Sequence, residues 1–147
     1  MGFDMINKWD RRFGEIVAIV TSWSKDPTTK CGAIIVRPDR SIVSYGYNNF
    51  PHGIEDTTER LNDRPLKNEL VVHSETNALL FAHESVVGYT MYCNRIPCCR
   101  CTVNVIQAGI KRVICFRASG DYDVRWKESI ERAIKLFEEA RVELYWE

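Results

Sequence analysis

Residues 73–101 read HSETNALLFAHESVVGYTMYCNRIPCCRC, a helix, a strand and a helix with metal-ligand side chains at the start of each helix. The apolar run Ala78-Leu79-Leu80-Phe81-Ala82 predicts a buried helix from about Ser74 to Glu84. Tyr89 to Cys93 follows as a strand, and Cys98 to Ala108 as a second helix that stops at Gly109. His73 and Glu75 are two apart, which in a helix interior would send them to nearly opposite sides. They must therefore open the first helix, where both side chains can turn into one cleft. Cys98 and Cys101 are three apart, so in the first turn of the second helix both sulfurs face the same way. The positive end of the helix dipole favours their thiolates, and Pro97 sits where a helix start tolerates it.

His73, Cys98 and Cys101 thus offer three zinc ligands, with Glu75 as a spare carboxylate. Zinc held by three protein donors keeps its fourth position for water, the catalytic rather than the structural arrangement. Such a water loses a proton near neutral pH, and a neighbouring carboxylate can carry that proton. A closed four-thiolate site would need a second Cys-x-x-Cys, which is missing, and would leave Glu75 without a purpose. Neither His52 nor His83 has a partner at ligand spacing, so one zinc per chain is expected.

The rest of the chain supports one domain over residues 1–147. Lys+Arg and Asp+Glu each number 20, so no overall positive field gathers a polyanion, and a small substrate is favoured over nucleic acid. Six irregularly spaced cysteines do not read as a disulfide framework; Cys31, Cys93, Cys99 and Cys115 read as small packing residues. No secretory segment or run of membrane-spanning length is seen, and a cytoplasmic location is expected.

Trp9, Phe13, Ile16, Val17 and Val20 recur at helical spacing and predict an amphipathic helix with its aromatics in the core. Cys31 to Val36 and Ile42 to Tyr47 predict a hairpin about the turn Arg37-Pro38-Asp39-Arg40-Ser41. The polar stretch from Glu55 to Glu69 is expected as a loop. Its Arg60, Arg64 and Lys67 suit a phosphate, but mixed with Glu59, Asp63 and Glu69 they read more simply as hydrated surface. Arg112 to Phe116 is a strand, Arg117 to Asp123 a loop, and Trp126, Ile130, Ala133, Ile134 and Phe137 mark an amphipathic helix before a last strand, Val142 to Trp146. The order α-β-β-α-β-α-β-α-β predicts an α/β fold, three layers α/β/α about a five-stranded mixed sheet, parallel in its second half. In such sheets ligands sit where strands end and helices begin, which is where His73 and Cys98 fall.

His-x-Glu followed by Pro-Cys-x-x-Cys is the signature of zinc nucleobase deaminases, in which the Glu moves protons and is not a ligand. The run Ser24-Lys25-Asp26-Pro27-Thr28-Thr29, then Gly46-Tyr47-Asn48-Asn49-Phe50-Pro51-His52-Gly53, with both zinc segments and Gln107-Ala108-Gly109-Ile110-Lys111, closely resembles the deoxycytidylate (dCMP) deaminases of the cytidine deaminase superfamily. The resemblance runs from about Ser24 to Phe116. It implies a cytidine-deaminase-like fold and hydrolysis of dCMP to dUMP and ammonia by a zinc enzyme. It also implies a homohexamer activated by dCTP and inhibited by dTTP, the triphosphate bound with Mg2+. By position, Asn48 would hold the deoxyribose, and Ser24 and Lys25 would lie near the nucleotide phosphate. Asn49, Phe50, Pro51, Gly53 and Asp56 would belong to the effector loop. The chain departs from the family in having Ser74 where Ala is usual and Asn49 where Gly is usual.

On this reading Glu75 removes the water proton, protonates N3 of cytosine and helps ammonia leave. Two other readings stand beside it. A base in RNA or single-stranded DNA as substrate needs a basic track, for which Arg95, Arg100, Lys111, Arg112 and Arg117 are the candidates. A zinc-stabilised binding module needs all four metal positions filled by protein.

Overall fold

The computed structural model describes residues 6–116, 124 and 126–147. Helix α1 (Lys8–Ser22) starts at a capping box: the Asn7 side chain accepts from the amides of Trp9 and Asp10, and Asp10 accepts from the Asn7 amide. Strands β1 (Gly32–Val36) and β2 (Ile42–Tyr47) pair antiparallel, as the hairpin reading requires. Then come α2 (Thr58–Asn62), α3 (Arg64–Leu70), α4 (Ser74–Leu80), β3 (Thr90–Cys93), α5 (Cys99–Ala108), β4 (Arg112–Cys115), α6 (Lys127–Glu139) and β5 (Glu143–Trp146).

The strands form one sheet in the order β2-β1-β3-β4-β5. β1 and β3 are antiparallel, while β3, β4 and β5 run parallel through the crossover helices α5 and α6, which gives the expected mixed sheet. Alternate residues of each strand serve opposite layers. Ile34, Tyr92, Ile114 and Tyr145 meet Phe13, Val17 and Val20 of α1. Ala33, Ile35, Met91, Val113 and Leu144 pack with Ala78 of α4, Val105 of α5 and Phe137 of α6. One helix covers one face and three cover the other, so the three-layer reading holds.

The polar contact on the α1 face was not foreseen. Asp10, 1% exposed, accepts from the Tyr92 hydroxyl at 2.7 Å and from Arg112 Nη1 and Nη2 at 2.9 and 3.0 Å. Burial opposes the Asp10 charge, but the bonds from Arg112, Asn7 and Tyr92 outweigh it and hold the carboxyl below its usual range. Arg112 is therefore spent beneath α1 and is no part of a basic track beside the cysteines.

Residues 55–69 correct the loop expectation. Thr57 caps α2 by accepting from the Arg60 amide, Asp63 caps α3 by accepting from the Leu66 amide, and Pro65 lies in the first turn of α3. The element order accordingly gains two short helices. Helix α4 ends at Leu80, short of Glu84, and Cys31 stands just before β1 instead of within it. Gly109 ends α5 in the left-handed conformation at φ 90°, as its position predicts. Gly46 allows α4 to lie directly on β2, since a Cβ there would stand 2.3 Å from the Ser74 carbonyl oxygen and 2.5 Å from the Ala78 amide nitrogen. The Arg117–Asp123 loop lies outside the described residues, and among the described residues no helix is long and apolar enough to cross a membrane.

Candidate active site

Two helix starts meet at the site. His73 is the residue before α4, in extended conformation, and the chain leading to it is clamped to the end of β2. The Val72 amide donates to the Asn49 carbonyl at 2.8 Å, and Asn77 Nδ2 donates to the Tyr47 carbonyl and to Asn49 Oδ1, both at 2.9 Å. Cys98 stands in the same capping position before α5, with Cys101 inside the first turn. Pro97 therefore precedes the cap instead of opening the helix.

His73 Nδ1 lies 3.4 Å from Cys98 Sγ and 3.3 Å from Cys101 Sγ, and the three donor atoms fall within 4.8 Å of one another. A tetrahedral zinc with Zn–N about 2.05 Å and Zn–S about 2.3 Å puts such N···S edges at about 3.5 Å. The donors fit. The Cys101 thiol bonds to Cys98 and, with His73, pulls the Cys98 thiol down to about 4, while the same bond and burial push Cys101 up. His73 is raised, first by its bond to Cys98. Two thiols clustered on an imidazole are donor chemistry that zinc takes in exchange for protons.

Glu75, 6% exposed, sits beside this cluster, and burial pushes its carboxyl up against the pull of the His73 imidazole. It opens into a cavity of about 220 Å³ shared with His73, Cys31, Asn48 and Trp126. The Trp126 ring stands perpendicular to His73, at 88° and 6.3 Å between centroids. Trp126, just before α6, packs against the core and also forms a wall of this cavity. Arg64, Lys67 and Asn68 on one face of α3, with Val71 just after the helix, form another wall.

A second cavity of about 160 Å³ adjoins the first and shares Asp26, Asn48, Lys67 and Val71 with it. Asn49, Phe50 and Asp56 line it, whereas Pro51 and Gly53 are exposed and line neither cavity. Lys25 also lies along the second cavity, paired with Asp56 at 2.9 Å. Ser24 is buried and donates to the Asn48 carbonyl at 3.0 Å. The Asn48 amide ties down the neighbouring loop: Oδ1 accepts from the Cys31 amide at 2.8 Å and Nδ2 donates to the Thr29 carbonyl at 2.9 Å. Sequence reasoning weighed Arg64 and Lys67 for a phosphate but favoured hydrated surface, and it did not place Trp126 at a cavity. The signal was present for the first two, in the Asp63 cap followed by Pro65.

A three-layer α/β sheet thus brings a His/Cys/Cys donor set and a buried carboxylate to one cavity. The family model for the cytidine and deoxycytidylate deaminase zinc-binding region matches residues 7–117, and the chain belongs to that family. An uncharacterized deaminase of Aliivibrio fischeri is 39% identical over 142 residues, 97% of this chain and 95% of that protein. The deoxycytidylate deaminase of Homo sapiens is 36% identical over 115 residues, which is 73% of this chain but 64% of the human protein. The dCMP deaminase of cyanophage S-TIM5, crystallised in complex with dCMP and dUMP, is similar in structure, with a TM-score of 0.77 at 25% identity over 97% of this chain and 99% of the phage chain.

Proposed function

We propose that the protein hydrolyses dCMP to dUMP and ammonia. The observation that carries this reading is the Glu75 carboxyl, buried beside a His73/Cys98/Cys101 donor set and open to the same cavity, in a chain of this family. Those three side chains would hold zinc, which would supply the Lewis acidity that makes water a nucleophile near neutral pH. Glu75 takes a proton from the attacking water, delivers it to N3 of the pyrimidine, and passes the second proton to the amino group that leaves C4 as ammonia. Burial suits it to both directions of transfer, because a raised pKa brings acceptance and return closer in energy. Trp126 and His73 bound the ring, and Asn48 fixes the wall against which the sugar rests.

The same reading gives the second cavity to the triphosphate effectors dCTP and dTTP in a homohexamer. Its support is the position of Asn49, Phe50 and Asp56 along that cavity and the wall it shares with the first. Ammonia release from dCMP, compared with cytidine and dCTP and repeated with dTTP, tests both parts. A zinc-loaded protein inert on every cytosine nucleotide refutes the first, and a rate indifferent to both triphosphates refutes the second.

A further inference from the structure

The geometry points to Arg64 and Lys67 of α3 as the pair that reads the phosphate of the substrate and makes the site prefer a nucleoside 5′-monophosphate to the nucleoside. This rests on the proposed dCMP chemistry and adds the residues that select the phosphorylated form. The lysine that sequence resemblance puts near the phosphate, Lys25, has a side chain 72% exposed, bonded to Asp56 and lining the second cavity. Besides His73, the cationic side chains that line the Glu75 cavity among the described residues are Arg64 and Lys67.

Lys67 is buried, an unusual state for an ammonium. Its Nζ donates to Asp26 Oδ1 and to Thr28 Oγ1, both at 3.2 Å, and an ammonium has three donors, so one remains for a ligand. Asp26 is in turn anchored by the amides of Thr28 at 2.9 Å and Thr29 at 3.0 Å. The ammonium is therefore fixed in place before any ligand arrives, at low ordering cost. One turn earlier on the same face, Arg64 is exposed and has no hydrogen-bond or ion-pair partner among the described residues. Lys67 and Asp26 neutralise each other and leave the Arg64 guanidinium, with five open donors, as the uncompensated cation of that wall. A dianionic phosphate matches a fixed ammonium donor and a free guanidinium fork. The reacting ring then points toward Glu75, and the phosphate toward α3.

The test compares dCMP with deoxycytidine, by kcat/KM and by calorimetric Kd on the zinc-loaded protein. Arg64→Ala and Lys67→Met are each expected to weaken dCMP about ten- to hundredfold more than deoxycytidine, mainly in KM and Kd. Lys67→Arg is expected to keep most of the preference. Equal losses on both ligands, or an unchanged ratio in Arg64→Ala, overturn the assignment; that exposed position keeps the test valid if Lys67→Met fails to fold. Failure of the wild type to turn over dCMP counts against the proposed reaction, while the binding ratio still decides the role of the two cations.

Discussion

Ser74→Ala is expected to stabilise the protein without altering its chemistry. Ser74 is the first residue of α4, 0% exposed, and its Oγ has no hydrogen-bond partner. A hydroxyl buried in this way costs about 1–3 kcal/mol relative to water. Alanine removes that cost and gains a few tenths of a kcal/mol in helix propensity. Against this stands the space left by one oxygen, which at about 24 cal/mol per Å³ returns roughly 0.5 kcal/mol. The net gain is about 1–3 kcal/mol, and for a chain of this size each kcal/mol raises Tm by about 2–4 °C. Calorimetry together with urea unfolding measures it, and an unchanged m-value shows that the denatured state is unaffected. Zinc content and turnover should match the wild type, because the donors His73, Cys98 and Cys101 and the Glu75 carboxyl stay in place. A loss of 1 kcal/mol or more would show that the hydroxyl has a partner and would refute the reasoning.

Cys101→Ser is expected to lose zinc and lower Tm, and chelation of the wild type should reproduce the drop, with recovery on adding zinc; thermal scans with metal analysis check both. Gly46→Ala is expected to cost about 2–4 kcal/mol in denaturant melts, since its Cβ meets the α4 backbone, at Ser74 O 2.3 Å away, and not the end of a flexible side chain. Asp10 has a carboxyl held below the ordinary 3.8, so its stabilisation is complete above that value and is lost as pH falls below it through the folded pKa. Asp10→Asn should therefore be less stable than the wild type near neutrality, and the difference should shrink in unfolding experiments below about pH 4. A difference independent of pH would mean that the charge is irrelevant.

The clustering of His73, Cys98 and Cys101 was legible because its geometry is local. His73 and Glu75 open one helix, and Cys98 with Cys101 open another, so spacing alone fixes which side chains share a cleft. The parallel half of the sheet followed from the alternation of helix and strand. Helix α3 did not, because periodicity detects faces that pack on an apolar core. The face of α3 that matters carries Arg64, Lys67 and Asn68 toward a cavity, so its pattern looks like solvated charge. The Lys67–Asp26 pair joins residues 41 apart, and the Arg112–Asp10 pair residues 102 apart. Tertiary pairing of that range leaves no local mark. Trp126 packs against the core and walls the cavity at once, and an aromatic at helical spacing does not tell those two roles apart.

Zinc content and dCMP turnover, measured together on the wild type and on Glu75→Gln, probe the central claim most directly. One zinc per chain in both proteins, with turnover at least about a hundredfold slower in the variant, is the predicted result. Near-normal turnover in Glu75→Gln, or a wild type that binds no zinc, would contradict the account.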